Sequence, residues 1–256
     1  MSQFIYQAAL RDFLRFRRLF IWIVVAIGLF ALSKIFLFVM PSGDSNESYS
    51  MLSSLFVFRI LPLASAIFSS AVVGQEVEQK TIVYLLTRPI ERWRLLTFRI
   101  LASATAVVLV TVITMLFVSA AVYGNPFSNP QLLRDALSII VGSLAYGTLF
   151  VFVTLLMSKA AMVVCLLFAF AWETAVPLMP GSMSMLSVST YLSAIAERPS
   201  ALLGGGTLGN LANALGVNTF SAQTGWIVMI FMIAFFAGLG MWWFGNFEYL
   251  PREDAE

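Results

Sequence analysis

The chain has 256 residues, 60% hydrophobic and only 11% charged, with a net charge of +2. That composition leaves too little polar surface to clothe a water-soluble domain, so lipid is the expected solvent, and the small net charge gives no case for nucleic acid as a partner. The absence of histidine and the single cysteine exclude imidazole-based zinc or haem sites, His-assisted Ser or Cys nucleophiles, intramembrane metalloproteolysis and intrachain disulfides.

Residues 1–18 are amphipathic. Ile5, Ala9, Phe13 and Phe16 share one helical face, and Gln3, Gln7, Arg11, Arg15 and Arg18 the other. A basic helix of this kind is expected to lie along a membrane surface. A secretory signal fits less well, because the apolar run that follows is too long for a signal core and no small-residue cleavage site follows it.

Six apolar stretches come next, at residues 19–40, 51–73, 96–123, 136–157, 160–178 and 226–244. They lack the alternation of a barrel strand, and backbone in hydrocarbon must satisfy its own hydrogen bonds, so each is expected to be a helix. Cys165 falls within one of these runs and reads as a packing residue. Arg11, Arg15, Arg17 and Arg18 precede the first stretch. Lys80, Arg88, Arg92, Arg94 and Arg99 cluster between the second and third, Lys159 follows the fourth, and Arg252 follows the sixth. The other side holds Arg134 and Arg198, so the positive-inside rule places both termini in the cytoplasm.

The connection at 179–225 is the longest. It contains apolar stretches, the Gly204, Gly205 and Gly206 break, and helical spacing at Leu208, Leu211, Ala212 and Leu215. Short helices packed on or dipping into the outer leaflet are expected there. Without a repeat or low-complexity tract, residues 1–256 read as one all-α membrane domain with no room for a soluble nucleotide-binding domain. Nor is there a Gly-x-x-x-x-Gly-Lys-Ser/Thr loop to cradle phosphates.

Residues 74–94 form a charged interlude between two apolar runs. Glu76 and Glu78 suit the first turn of a short helix, Val77, Ile82, Leu85 and Leu86 make an apolar patch, and Pro89 ends it. Arg88, Arg92 and Arg94 can pair with carboxylates or lipid headgroups. On composition alone an ordinary juxtamembrane loop fits as well. The order Glu76, Glu78, Thr81, Leu85, Leu86, Pro89, Arg92, at its place after the second span, resembles the cytoplasmic loop of type-2 ABC transporter permeases. The resemblance extends along the chain: an amphipathic entry helix, six spans, this loop, and a longer outward connection before the last span. Lys80 departs from the pattern, since a glycine commonly precedes the threonine.

The resemblance implies a permease subunit of an ATP-driven ABC exporter in the plasma (inner) membrane, without catalysis of its own. Its 74–94 loop would be a coupling helix docked on a separate ABC ATPase that binds the ATP and magnesium. Ile82, Leu85 and Leu86 would be buried in that contact, Glu76, Glu78, Arg88 and Arg92 would set its register, and Thr81 and Pro89 would complete the motif. A second permease copy, identical or related, and membrane lipid are the other implied partners. The rival readings are a stand-alone secondary transporter or channel, a membrane enzyme, and a non-transporting scaffold.

Lys34, Arg59 and Glu173 stand inside predicted spans, where a charge needs a partner or water. At 1.5 Å per residue they lie about 9, 12 and 8 Å from the outer ends of their stretches. Glu173 is expected to pair with Arg59, or alternatively with Lys34, as a gate or substrate contact, because in the resembling family spans two and five line the translocation route. A static ion pair, or a Lys34 that snorkels to the headgroups, is the simpler reading. Pro62, Pro177 and Pro180 sit near the same helix ends and permit bends.

Overall fold

The computed structural model describes residues 2–39, 44–72, 92–157, 160–178, 181–197 and 221–246. Of these residues 91% are helical and none lies in a strand. Helix α1 covers Ser2–Phe13, α2 Phe16–Val39, α3 Ser45–Ser70, α4 Arg92–Tyr123, α5 Leu132–Leu156, α6 Ala161–Ala175, α7 Val188–Ile195 and α8 Ala222–Asn246. Helices α2, α3, α4, α5 and α8 are long and apolar enough to cross a bilayer.

The five long helices take up five of the six expected spans, and most extend beyond the apolar stretch that announced them. Helix α3 begins at Ser45 rather than near residue 51, because Asp44 caps it by accepting the Asn46 N–H at 3.0 Å and its polar first turns need no hydrocarbon. The stretch expected as the span 160–178 is divided. Regular helix gives way to a π turn at Phe168–Trp172, and a 3₁₀ turn at Val176–Leu178 carries Pro177. Helix α6 is therefore only about 22 Å long, short of a roughly 30 Å hydrocarbon core.

Helices α3, α4 and α5 pack against one another at the centre, with α2 laid on α4 and α8 on α5. Small residues permit the close approach: Ala64, Ser65 and Ser69 on α3, Ala102, Ser103 and Ala106 on α4, and Gly142, Ala145 and Gly147 on α5. Gly142 is the tightest point. A Cβ there would lie 2.6 Å from Leu61 Cδ2 and 2.8 Å from Leu192 Cδ1, and both leucines are fully buried. Helices α2 and α8 are apolar all round and turn Phe20, Ile21, Ile35, Phe38, Ile227, Phe231 and Trp242 outward, as a lipid-facing rim requires. Three buried threonines bond within their own helices. Thr111 donates to the Val107 carbonyl at 2.8 Å, Thr114 to Val110 at 3.0 Å and Thr154 to Phe150 at 2.7 Å.

The amphipathic pattern of α1 appears as anticipated where its side chains are described. Ala9 and Phe13 are buried, whereas Gln7 and Arg11 are exposed. Phe13 meets Phe68 edge-on at 6.1 Å, and Tyr6 donates to Thr105 Oγ1 at 3.1 Å, so α1 lies against α3 and α4.

Candidate functional site

The middle of α3 and the middle of the α6 segment meet, and both are broken there in the same manner. In α3 a π turn runs through Ser53–Val57, the Phe58 N–H reaches back five residues to the Ser53 carbonyl, and Pro62 follows five residues after the turn ends. In α6 the π turn runs through Phe168–Trp172, the Glu173 N–H reaches the Phe168 carbonyl, and Pro177 again stands five residues after the turn ends. A proline has no N–H and pushes aside the carbonyl four residues before it, and a widened turn upstream accommodates that displacement. The carbonyls so displaced belong to Phe58 and Glu173.

Arg59 supplies the donor that Pro177 lacks. Its Nη1 donates to the Glu173 main-chain carbonyl at 2.5 Å. The expected partnership between Arg59 and Glu173 is thus realised through the backbone, not as a carboxylate–guanidinium salt bridge. The Glu173 carboxylate is committed elsewhere. It accepts the Ser187 hydroxyl at 2.6 Å, the Val188 N–H at 3.1 Å and the Ser189 N–H at 3.1 Å, and is wholly buried. It therefore caps the N-terminus of α7, where the helix dipole and free amides favour negative charge. Ser187 is the N-cap residue, but its side chain donates to Glu173 instead of capping its own helix. Trp172 reinforces the turn by donating to the Leu186 carbonyl at 3.3 Å.

From this knot α7 runs along α5. The Ser138 hydroxyl donates to the Leu192 carbonyl at 3.0 Å, Leu192 presses on Gly142, and Glu197, just past the end of α7, forms an ion pair with Arg134. At the same end of the bundle the Tyr49 hydroxyl donates to Asp135 Oδ2 at 2.7 Å and the Tyr123 hydroxyl to Asn46 Oδ1 at 2.7 Å, joining α3 to α5 and to α4. Tyr146 is fully buried beside Glu173 and Arg59.

Lys34 is not part of this cluster. It is exposed on α2, with Nζ 6.0 Å from the Phe30 ring centroid. Glu76, Glu78, Thr81, Ile82, Leu85, Leu86, Arg88 and Pro89 lie outside the described residues, as do Gly204–Gly206 and the helical spacing at 208–217. Arg92 is the first residue of α4. Arg99 Nη1 donates to the Val72 carbonyl at 2.7 Å, tying the start of α4 to the end of α3. Cys165 is buried, with Sγ 3.8 Å from the Phe150 carbonyl. Among the described residues no three His, Cys, Asp or Glu side chains gather as metal ligands.

Sequence reasoning missed Tyr49, Asp135, Tyr146 and the Ser187–Ser189 turn. A signal existed for the role of the Glu173 carbonyl: a proline four residues downstream announces a carbonyl without its helical donor. Tyr49 and Asp135 carried no such signal, being separated in the chain and unremarkable locally.

No curated protein matches the chain. The family described as ABC-2 family transporter protein matches residues 3–246, nearly the whole length. With five bilayer-length apolar helices around a buried polar knot, the chain belongs to the ABC-2 family of transporter proteins, as a membrane component of such a transporter.

Proposed function

We propose that the chain is the permease subunit of an ATP-driven exporter in the plasma membrane, with both termini cytoplasmic and residues 74–94 docked on a separate P-loop ATPase that binds ATP and magnesium. Two permease copies, identical or related, enclose the route. The α6 segment serves as the sixth span, and Arg59 and Glu173 stand beside the path. The observation that carries this reading is the family match over residues 3–246. It is supported by the Arg99 bond to Val72, because a segment that passes on mechanical work needs anchor points that do not slide apart.

The test is whether a P-loop ATPase is encoded next to this chain and co-purifies with it. Wild-type protein is expected to retain the ATPase through size-exclusion chromatography. Leu85→Glu with Leu86→Glu is expected to weaken the association about 100-fold, as removal of a buried interface anchor does. Undiminished association of the double variant refutes the coupling role. Full nucleotide-independent movement of solute through vesicles containing this chain alone would establish the stand-alone transporter or channel reading instead.

A further inference from the structure

We propose that α3 and the α6 segment form a matched pair of hinges latched to each other by Arg59, and that the latch also governs the seating of α7. The inference takes its purpose from the transporter reading, but hinge and latch are tested on the purified chain, so either can fail without the other.

The two breaks are alike in construction. Each combines a turn closed by a five-residue hydrogen bond with a proline five residues further on. Each places a charged residue between turn and proline: Arg59 two residues after the first turn, Glu173 one residue after the second. A π turn holds one more residue than the α-helix needs, and its relaxation or migration turns the helix beyond it by about 100°. Two such points side by side make a bistable element where an unbroken helix would only bend.

The closed form is held by an unusual bond. The Glu173 carbonyl lost its helical donor to Pro177 and is served by Arg59 from the neighbouring helix. The carboxylate of the same residue holds the first amides of α7. Withdrawal of Arg59 leaves a carbonyl without a donor in a dry setting, a state favoured only when water enters between α3 and α6. Opening at the hinges, entry of water and loosening of α7 are therefore one event.

Hydrogen–deuterium exchange of the full chain in lipid nanodiscs tests this with Arg59→Gln, Pro177→Ala and the double variant. Arg59→Gln is expected to accelerate exchange about tenfold in peptides from α3, the α6 segment and α7 together, the size expected for losing one charge-assisted bond. Pro177→Ala gives the Glu173 carbonyl a donor within its own helix. Alone it is expected to slow exchange around residues 173–178 and to speed it beyond Arg59 in α3. In that background Arg59→Gln is expected to add less than about twofold, because its bond is no longer required. The opposite signs on the two helices distinguish a latch from a packing contact, and they remain readable if Arg59→Gln does not fold. Acceleration confined to α3, or an Arg59→Gln effect of equal size in both backgrounds, overturns the proposal.

Discussion

The unbroken helices α4, α5 and α8 and the two broken ones handle charge in opposite ways. Helices α4, α5 and α8 contain no proline. The charges of α4 and α5 stand near their first turns, at Arg92, Arg94, Arg99, Arg134 and Asp135, and α8 has none. Helix α3 and the α6 segment contain proline and a π turn, and each carries a charge in its interior, at Arg59 and Glu173. A regular helix consumes its own backbone polarity, so a buried charge finds nothing to bond except another side chain. A helix opened by proline offers a bare carbonyl, and a helix that starts within the bundle offers bare amides. Arg59 and Glu173 are placed against such backbone groups.

Removal of Glu173 should have the largest effect. Glu173→Ala leaves the first amides of α7 uncapped in a buried place, and a loss of about 3 kcal/mol is expected, read as a lowered unfolding midpoint in detergent. A loss below about 0.5 kcal/mol would mean that the cap contributes no more than an exposed surface contact. On the unbroken side of the comparison, Gly142→Val inserts volume between Leu61 and Leu192 and is expected to cost about 2 kcal/mol by overpacking, seen in the same assay.

Arg99→Gln tests the border between the two kinds of helix. It removes a charge-assisted bond from the last turns of α3 and is expected to cost about 1.5 kcal/mol. It should also accelerate exchange near residues 68–72 while leaving the Glu173 knot unchanged. The smallest effect belongs to Lys34→Met. Lys34 is exposed and outside the knot, so a change within about 0.5 kcal/mol is expected. A large loss on that substitution would show that an interior charge on an unbroken helix also carries structural weight, and the contrast would fail.

What could be read in advance follows the same division. Hydropathy located α2, α4, α5 and α8 because transfer into lipid depends on the length of an apolar run. Their ends differ from the apolar limits by up to about a turn, since helix continues wherever backbone hydrogen bonds can be made. The alternation of Ala9 and Phe13 with Gln7 and Arg11 fixed the buried face of α1. The π turns were illegible, because Ser53–Val57 and Phe168–Trp172 contain the same residue types as their regular neighbours. The prolines marked both places, yet a proline alone does not tell which donor replaces its missing N–H. The juxtaposition of Arg59 and Glu173 followed from the cost of lone charges in lipid. That the bond would go to a carbonyl, and the carboxylate to α7, depended on the fold of 181–195. Five of the six expected spans are helices of bilayer length, and the sixth stretch is the one interrupted by a wide turn and Pro177.

The strap from Arg99 to the Val72 carbonyl pins the end of α3 to an early turn of α4. Two helices pinned in this way do not splay apart at that end like the blades of scissors. A twist of either helix at that end is shared by the other, and α3 carries it along its length toward the wide turn that precedes Arg59.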